Sequence, residues 1–346
     1  MKQTLNNIRH LTLSELEQYF EELGEKKFRA KQVYEWLWLK PVQHIDAMTN
    51  LSKKLREQLK EHFTLPGLTT DTTQYSDDGT VKTRFRTFDG HLVEGVLIPA
   101  QTRHTACVSS QIGCSLSCKF CATGYMERKR NLQFDEIYDQ VVLINNQCES
   151  IHGKKISNIV FMGMGEPLLN YKNVLRSIDR ITSAEGMGMS PRRITVSTAG
   201  VARSIRQLGD DKVKFKLALS LHAATDSKRH KIMPINDSNN IQSLVEALNY
   251  FYQQTKNEIT FEYILFKNFN DSPEDANELI KLYRKVPADL INLIEYNPIS
   301  FAKFEKPDEK KVESFMAYLE KHRVNVRLRR SRGKDIDAAC GQLANK

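Results

Sequence analysis

Apolar residues near the start of the chain recur at helical spacing. Leu16, Tyr19, Phe20 and Leu23 share one helical face, with Thr12 and Glu15 before them as a capping box and Gly24 after them as a stop. Phe28, Val33, Trp36 and Leu37 predict a second helix, and Leu51, Leu55, Leu59 and Phe63 a third. Residues 1–70 are therefore expected to form a small helical accessory domain. From Thr80 the period shortens to two. Val81, Thr83, Phe85 and Thr87 alternate, Asp89-Gly90 supplies a turn, and Leu92 through Ile98 follow, so residues 71–100 read as a β-hairpin linker.

Beyond residue 100, strand-like and helix-like stretches alternate. Strands are expected over 105–109, 156–162, 193–198, 215–221, 258–265 and 291–296, each followed by a helix, with a closing strand over 324–328. Six such βα units imply parallel strands joined by right-handed crossovers, with ligands gathered at the carboxyl ends of the strands. The expected fold is α/β: a partial TIM-type barrel of six βα units over 101–346, preceded by the helical domain and the hairpin linker. Cys114 to Cys121, Gly163 to Glu166, Ser197, Ser220 to His222 and Asn297 all sit at or just after predicted strand ends.

Composition narrows the setting. The chain of 346 residues has no apolar run of about 18 that could span a bilayer. Met1 to Arg9 lacks the features of a secretory signal, so a soluble cytoplasmic protein is expected. The net charge is +9, and basic residues concentrate at Lys119, at Arg128-Lys129-Arg130, at Arg192-Arg193 and from Arg327 through Lys334. A phosphate-rich partner fits such clustering, and so does an ordinary solvated face.

The six cysteines are not the even scatter of a disulfide framework, since three of them crowd together at Cys114, Cys118 and Cys121. This Cys-x3-Cys-x2-Cys spacing lets three thiolates of one loop reach three irons of a cubane, leaving the fourth iron open to a substrate. Structural zinc remains an alternative, although it normally requires a fourth closing ligand and none stands at knuckle spacing. Phe161-Met162-Gly163-Met164-Gly165-Glu166-Pro167 follows the second strand, where glycines can let the backbone approach a ligand.

Taken together, the cysteine loop and the Gly-rich turn resemble the radical S-adenosylmethionine (SAM) superfamily. That resemblance implies a 4Fe-4S cluster on Cys114, Cys118 and Cys121, and SAM held by Gly165, Glu166, Ser197, Ser220, Leu221, His222 and Asn297. Two more cysteines, Cys107 in Cys-Val-Ser-Ser-Gln-Ile-Gly-Cys114 and Cys340 in Asp335-Ile-Asp-Ala-Ala-Cys-Gly-Gln-Leu343, make the chain similar to the RlmN and Cfr family of RNA adenine methyltransferases. The similarity spans essentially the whole chain. It implies that Cys340 takes a methyl from one SAM and that a radical from a second SAM activates that methyl for addition to adenine. Cys107 then removes the ring proton and forms a disulfide with Cys340 that frees the product. Glu94 matches a carboxylate described as a proton acceptor, although a surface strand position would leave it inert. Cys148 has no counterpart in this chemistry and is expected to pack in a core.

The family also implies the partners: 23S rRNA and tRNA, and a reductant of the flavodoxin or ferredoxin type, with the protein itself taken as a monomer. Gly165-Glu166-Pro167 and Leu219 to Asp226 look more like the branch that methylates C2. Three alternatives stay open: a Cfr-type C8 methyltransferase giving antibiotic resistance, a structural Cys107–Cys340 disulfide, and a non-catalytic metal-containing RNA-binding protein.

Overall fold

In the computed structural model, residues 5–40 and 42–346 are described. The expectation drawn from Met1 to Arg9 therefore falls partly outside the described residues. The N-terminal unit comprises β1 (Asn6–Asn7), α1 (Leu13–Glu22), α2 (Phe28–Trp38), α3 (Lys53–His62) and β2 (Phe63–Thr64). At the start of α1 the capping box forms as expected: Glu15 N–H donates to Thr12 Oγ1 (3.2 Å) and Thr12 N–H to Glu15 Oε2 (2.7 Å). Ser52 caps α3 through its side chain alone, accepting from Leu55 N–H at 3.2 Å. β1 and β2 pair in parallel and bring the two ends of the unit together.

This unit is joined to the rest of the molecule by a shared core. Trp38 is buried against Tyr138, whose hydroxyl donates to the Trp38 carbonyl at 2.6 Å. Arg9, also buried, donates through Nη1 to both oxygens of Asp139 at 2.7 and 2.8 Å. A buried pair of this kind adds little net stability, but removing one partner strands the other charge. Arg9→Met is accordingly expected to lower unfolding stability by about 3–5 kcal/mol. The double variant Arg9→Met, Asp139→Leu should regain most of that loss in denaturant titration.

The remaining strands form one ten-stranded sheet in the order β14-β13-β12-β11-β10-β9-β6-β5-β4-β3. Its antiparallel part is β3 (Thr69–Tyr75), β4 (Val81–Arg86) and β5 (Leu92–Pro99), followed by β6 (His104–Cys107). A short pair, β7 (Gln111–Ile112) and β8 (Arg130–Asn131), closes the base of the cysteine loop. Then come α4 (Phe134–His152), β9 (Asn158–Phe161), α5 (Tyr171–Thr182), β10 (Ile194–Thr198), α6 (Ala202–Asp210) and β11 (Lys216–Ser220). The chain continues through α7 (Asp226–Ile232), α8 (Ile241–Thr255), β12 (Ile259–Leu265), α9 (Pro273–Tyr283), β13 (Leu290–Glu295), α10 (Glu309–Lys321) and β14 (Val326–Arg329). β6 and β9 to β14 are all parallel, as the alternation of patterns predicts. Because β3 and β14 both end as free edges, the sheet is an open, partial barrel.

One expectation needs correcting. The hairpin is not a bridge to the main domain but part of its sheet, since β5 pairs with β6 (Val96 opposite Cys107). The sheet then extends to β3, a strand the sequence does not announce. Its residues, Thr-Thr-Asp-Thr-Thr-Gln-Tyr, carry no apolar alternation because none of them is buried at this edge.

Candidate active site

At the carboxyl ends of the parallel strands two cavities meet. The smaller, about 140 Å³, is walled by Cys114, Cys118 and Cys121 together with Gly165, Glu166, Ser197, Ser220 and His222. The larger, about 710 Å³, runs down the barrel interior past Cys107 to Asn158, Thr195, Lys216 and Leu290 at the amino ends of the strands. Cys340, Cys121, Met162, Gly163 and Glu262 line both. Cys340 therefore stands at the junction, while Cys107 belongs to the larger cavity alone.

Burial pushes the Cys114 thiol up to about 11 and raises Cys118 and Cys121 as well, with the neighbouring thiols adding to the effect at Cys114 and Cys118. A bound metal is what turns such thiols into thiolates. Among the described residues, no three His, Cys, Asp or Glu side chains converge on a point where one metal ion could sit. A cubane asks for something different, since each thiolate takes its own iron around a cluster. Three cysteines on one cavity wall fit that donor set.

The glycines of the turn after β9 allow close packing as well as lining the smaller cavity. A Cβ on Gly163 would lie 2.5 Å from Ser109 Oγ, and one on Gly165 (φ 93°) would lie 2.4 Å from Gln111 Cβ. Both glycines let this turn press onto the segment between β6 and β7. Glu166 then ties the turn to β10, accepting from Leu168 N–H (3.0 Å) and Ala199 N–H (2.7 Å). His222 has positive φ (55°) and accepts from Ile264 N–H through Nδ1 at 3.1 Å, so its ring proton lies on Nε2. Burial, with Arg229 adding to it, pushes His222 down to about 3 and keeps it neutral.

Two of the expected SAM contacts stand off the cavity walls. Leu221 is fully buried, with its N–H donating to the Glu262 carbonyl at 3.0 Å. Asn297 lies behind the tail, where Nδ2 donates to the Cys340 carbonyl at 3.3 Å. Glu94 is not a surface residue: it is fully buried, 3.5 Å from Lys82 Nζ, because the C-terminal tail covers that face of β5. Cys148 packs in the core within α4, as expected. All six cysteines are free thiols in this structure, Cys107 and Cys340 included.

Sequence reasoning misses three charges here, two of them buried and the third, Arg329, partly exposed. Arg229 of α7 donates to the carbonyls of Ala199, Ser220 and Leu221, binding together the ends of β10 and β11. Glu262 accepts from Asn292 Nδ2 (2.7 Å) and Thr260 Oγ1 (3.1 Å) through one oxygen, and its other oxygen lies 3.7 Å from Arg329. Glu262 interrupts an otherwise uncharged, fully buried strand, which is the signal that could have singled it out. Arg329 hides inside a basic run. Burial alone lowers its affinity for the proton, but Cys340, Glu262 and Cys107 raise it above its ordinary value. Burial pushes the Cys107 thiol up to about 12, with Cys340 adding to the effect and Arg329 opposing it.

The basic runs also divide differently from the expectation. Arg130 is consumed by Asp89 (2.7 Å) and Glu136 (2.7 Å), Arg330 by Glu309 (2.7 Å) and Lys334 by Glu295 (2.8 Å). Arg103, Arg192, Arg193 and Arg327 are instead exposed, form no ion pair among the described residues and rim the larger cavity.

A partial parallel barrel with a three-cysteine loop at the carboxyl end of its first parallel strand defines a radical SAM enzyme, and the superfamily profile "Radical SAM superfamily" matches residues 108–282. A second profile, "Ribosomal RNA large subunit methyltransferase N-terminal domain", matches residues 6–65. The "Probable dual-specificity RNA methyltransferase RlmN" of Cytophaga hutchinsonii is 55% identical over 98% of this chain and 93% of its own length. That of Christiangramia forsetii is 50% identical over 100% of this chain and 98% of its own. A crystal structure of a radical SAM methyltransferase from Sphaerobacter thermophilus superposes with a TM-score of 0.92 at 39% identity, covering 99% of this chain and 100% of that one. The chain belongs to the RlmN family of radical SAM RNA methyltransferases. A 4Fe-4S cluster and SAM are its cofactors, and the reading as a non-catalytic RNA-binding protein is set aside. No helix among the described residues is long and apolar enough to cross a membrane.

Proposed function

We propose that this protein methylates C2 of adenosine in 23S rRNA near the peptidyl transferase centre and in tRNA beside the anticodon. The observation that carries the reading is the position of Cys340 on the walls of both cavities, with Cys107 in the larger one. C2 of adenine has no acidic proton for a base to remove and no lone pair to attack a methyl donor, so a radical route is needed. Cys114, Cys118 and Cys121 would hold the cluster, with Gly165, Glu166, Ser197, Ser220 and His222 around SAM and Leu221 and Asn297 supporting that wall from behind. Bound there, cluster and SAM supply the 5′-deoxyadenosyl radical.

Cys340 carries the methyl at the meeting point, where it can face the smaller cavity to be charged and the larger one to deliver. Cys107 as a thiolate takes the C2 proton while the radical adduct would return its odd electron to the bound cluster. Deprotonated again, Cys107 sulfur bonds to that of Cys340 as the S–CH2 bond breaks. The released electron pair takes up a proton to complete the methyl group, and the external reductant reopens the disulfide. Arg329, beside both sulfurs, favours their thiolate forms against the cost of burial. The enzyme works in the cytoplasm as a monomer reduced by a flavodoxin- or ferredoxin-type donor, and its helical N-terminal unit adds to the RNA contacts. Nucleoside mass spectrometry of rRNA and tRNA from a deletion strain tests the reading: 2-methyladenosine should disappear from both and return with the gene.

The four rim arginines make RNA entry electrostatic. If each neutralises one phosphate of a single-stranded loop, a fourfold rise in salt should weaken binding roughly fiftyfold. Replacing Arg192 and Arg193 with Ala should cut the log–log salt slope by about half. An unchanged slope would place the RNA elsewhere.

A further inference from the structure

The tail that carries Cys340 contains little regular structure of its own, so something else must place the thiol. Three groups of contacts fasten it. Upstream, Asp335 accepts from Ser76 Oγ (2.6 Å) and Asp78 from Gly333 N–H (3.0 Å). Around the thiol, Ala122 N–H donates to the Gly341 carbonyl (2.6 Å) and Thr123 Oγ1 to that of Leu343 (2.7 Å). Downstream, Glu94 Oε2 accepts from the N–H groups of both Ala344 (2.9 Å) and Asn345 (3.0 Å). This last contact is the only one of the three made by a fully buried carboxylate.

The other oxygen of Glu94 has no hydrogen bond, and its nearest cation is Lys82, itself buried, at 3.5 Å. A carboxylate engaged by two backbone N–H groups is a strong fixed acceptor, and hydrogen bonds to a charged partner are among the more stabilising ones. We propose that Glu94 is a positioning residue, a clamp on the C-terminal tail that sets Cys340 at the junction of the two cavities, rather than the acceptor of the substrate's proton. The inference rests on the reading of Cys340 as the methyl carrier. The two roles act at different times: a clamp is needed when Cys340 first receives its methyl, before RNA takes part, whereas a proton acceptor is needed only after the base is joined to the protein.

The test follows from that order. Glu94→Ala removes the acceptor. Glu94→Gln combined with Lys82→Met keeps an oxygen for both N–H groups, abolishes the carboxylate and avoids a stranded buried ammonium. Deletion of residues 344–346 removes the N–H donors and leaves Glu94 untouched. With the reconstituted protein and SAM, intact-mass spectrometry reads methylation of Cys340, and limited proteolysis without cofactors reads exposure of the tail. A clamp predicts that Glu94→Ala and the deletion lose Cys340 methylation at least about tenfold and are cleaved at the tail at least about tenfold faster. The Gln–Met variant should match the wild type in both readouts.

Full methylation of Cys340 in Glu94→Ala and in the deletion, with the Glu94 variants stalling as RNA adducts, would overturn the clamp and return Glu94 to proton transfer. Absence of Cys340 methylation in the wild type would instead overturn the carrier reading. Proteolysis would still decide the clamp, and equal cleavage of wild type and Glu94→Ala would reject it.

Discussion

Cys107→Ala should leave the protein covalently joined to its RNA, and Cys340→Ala should never become joined to it. The asymmetry comes from where the two thiols stand. Cys340 lines both cavities and can receive a methyl on one side and present it on the other, so without it neither adduct nor product can form. Cys107 lines only the larger cavity, beyond the junction where the methyl is taken up, and Arg329 favours the thiolate that can accept the C2 proton against the cost of its burial. Its loss blocks the later steps alone. The Cys107→Ala protein is expected to run as a slower, nuclease-sensitive band on a denaturing gel, with methylated RNA reduced below detection. The double variant should show no such band. An adduct in Cys340→Ala would reverse the roles, and active enzyme in both single variants would remove both thiols from the chemistry.

The second large effect concerns the cysteine loop. Replacing any one of Cys114, Cys118 or Cys121 with Ala should abolish both the broad brown absorption of the anaerobically purified protein and its formation of 5′-deoxyadenosine. The three cannot substitute for one another, since each thiolate would take a different iron, and Cys107 and Cys340 are already held by β6 and the tail. Cys148→Ala is the control. It is buried in α4 with no place on either cavity wall, so it should keep the colour and turnover and cost only core packing. A loop variant that retained its spectrum and its SAM cleavage would sink the cluster assignment.

The order of βα units was legible because burial on both sides of a parallel strand and amphipathic helices between strands write two distinct periods into the chain. The capping box at Thr12 and Glu15 was readable for a similar reason, being a contact between residues a turn apart. Strand β3 was not, because an edge strand with no buried face leaves no periodic trace. The expected SAM contacts divided along the same line. Gly165, Glu166, Ser197, Ser220 and His222 reach the smaller cavity, while Leu221 and Asn297 support it from behind, a distinction that depends on side-chain direction at the very end of a strand.

By itself, then, the sequence determined the class of fold and the cysteine loop, since both are expressed in local patterns and spacing, and its resemblance to the family singled out Cys107 and Cys340 for the proposed chemistry. Only the tertiary structure decided what surrounds them. Glu94 looked like a strand residue facing water and is buried because a tail from the far end of the chain lies over it. Glu262 and Arg329 come together from neighbouring regions of the sheet to stand beside Cys340, and Arg103, Arg192, Arg193 and Arg327 gather from distant segments into one rim. A local pattern records which face of an element is buried. It carries no record of which remote segment does the burying, and that choice is what sets the charge and the contacts around each reactive group.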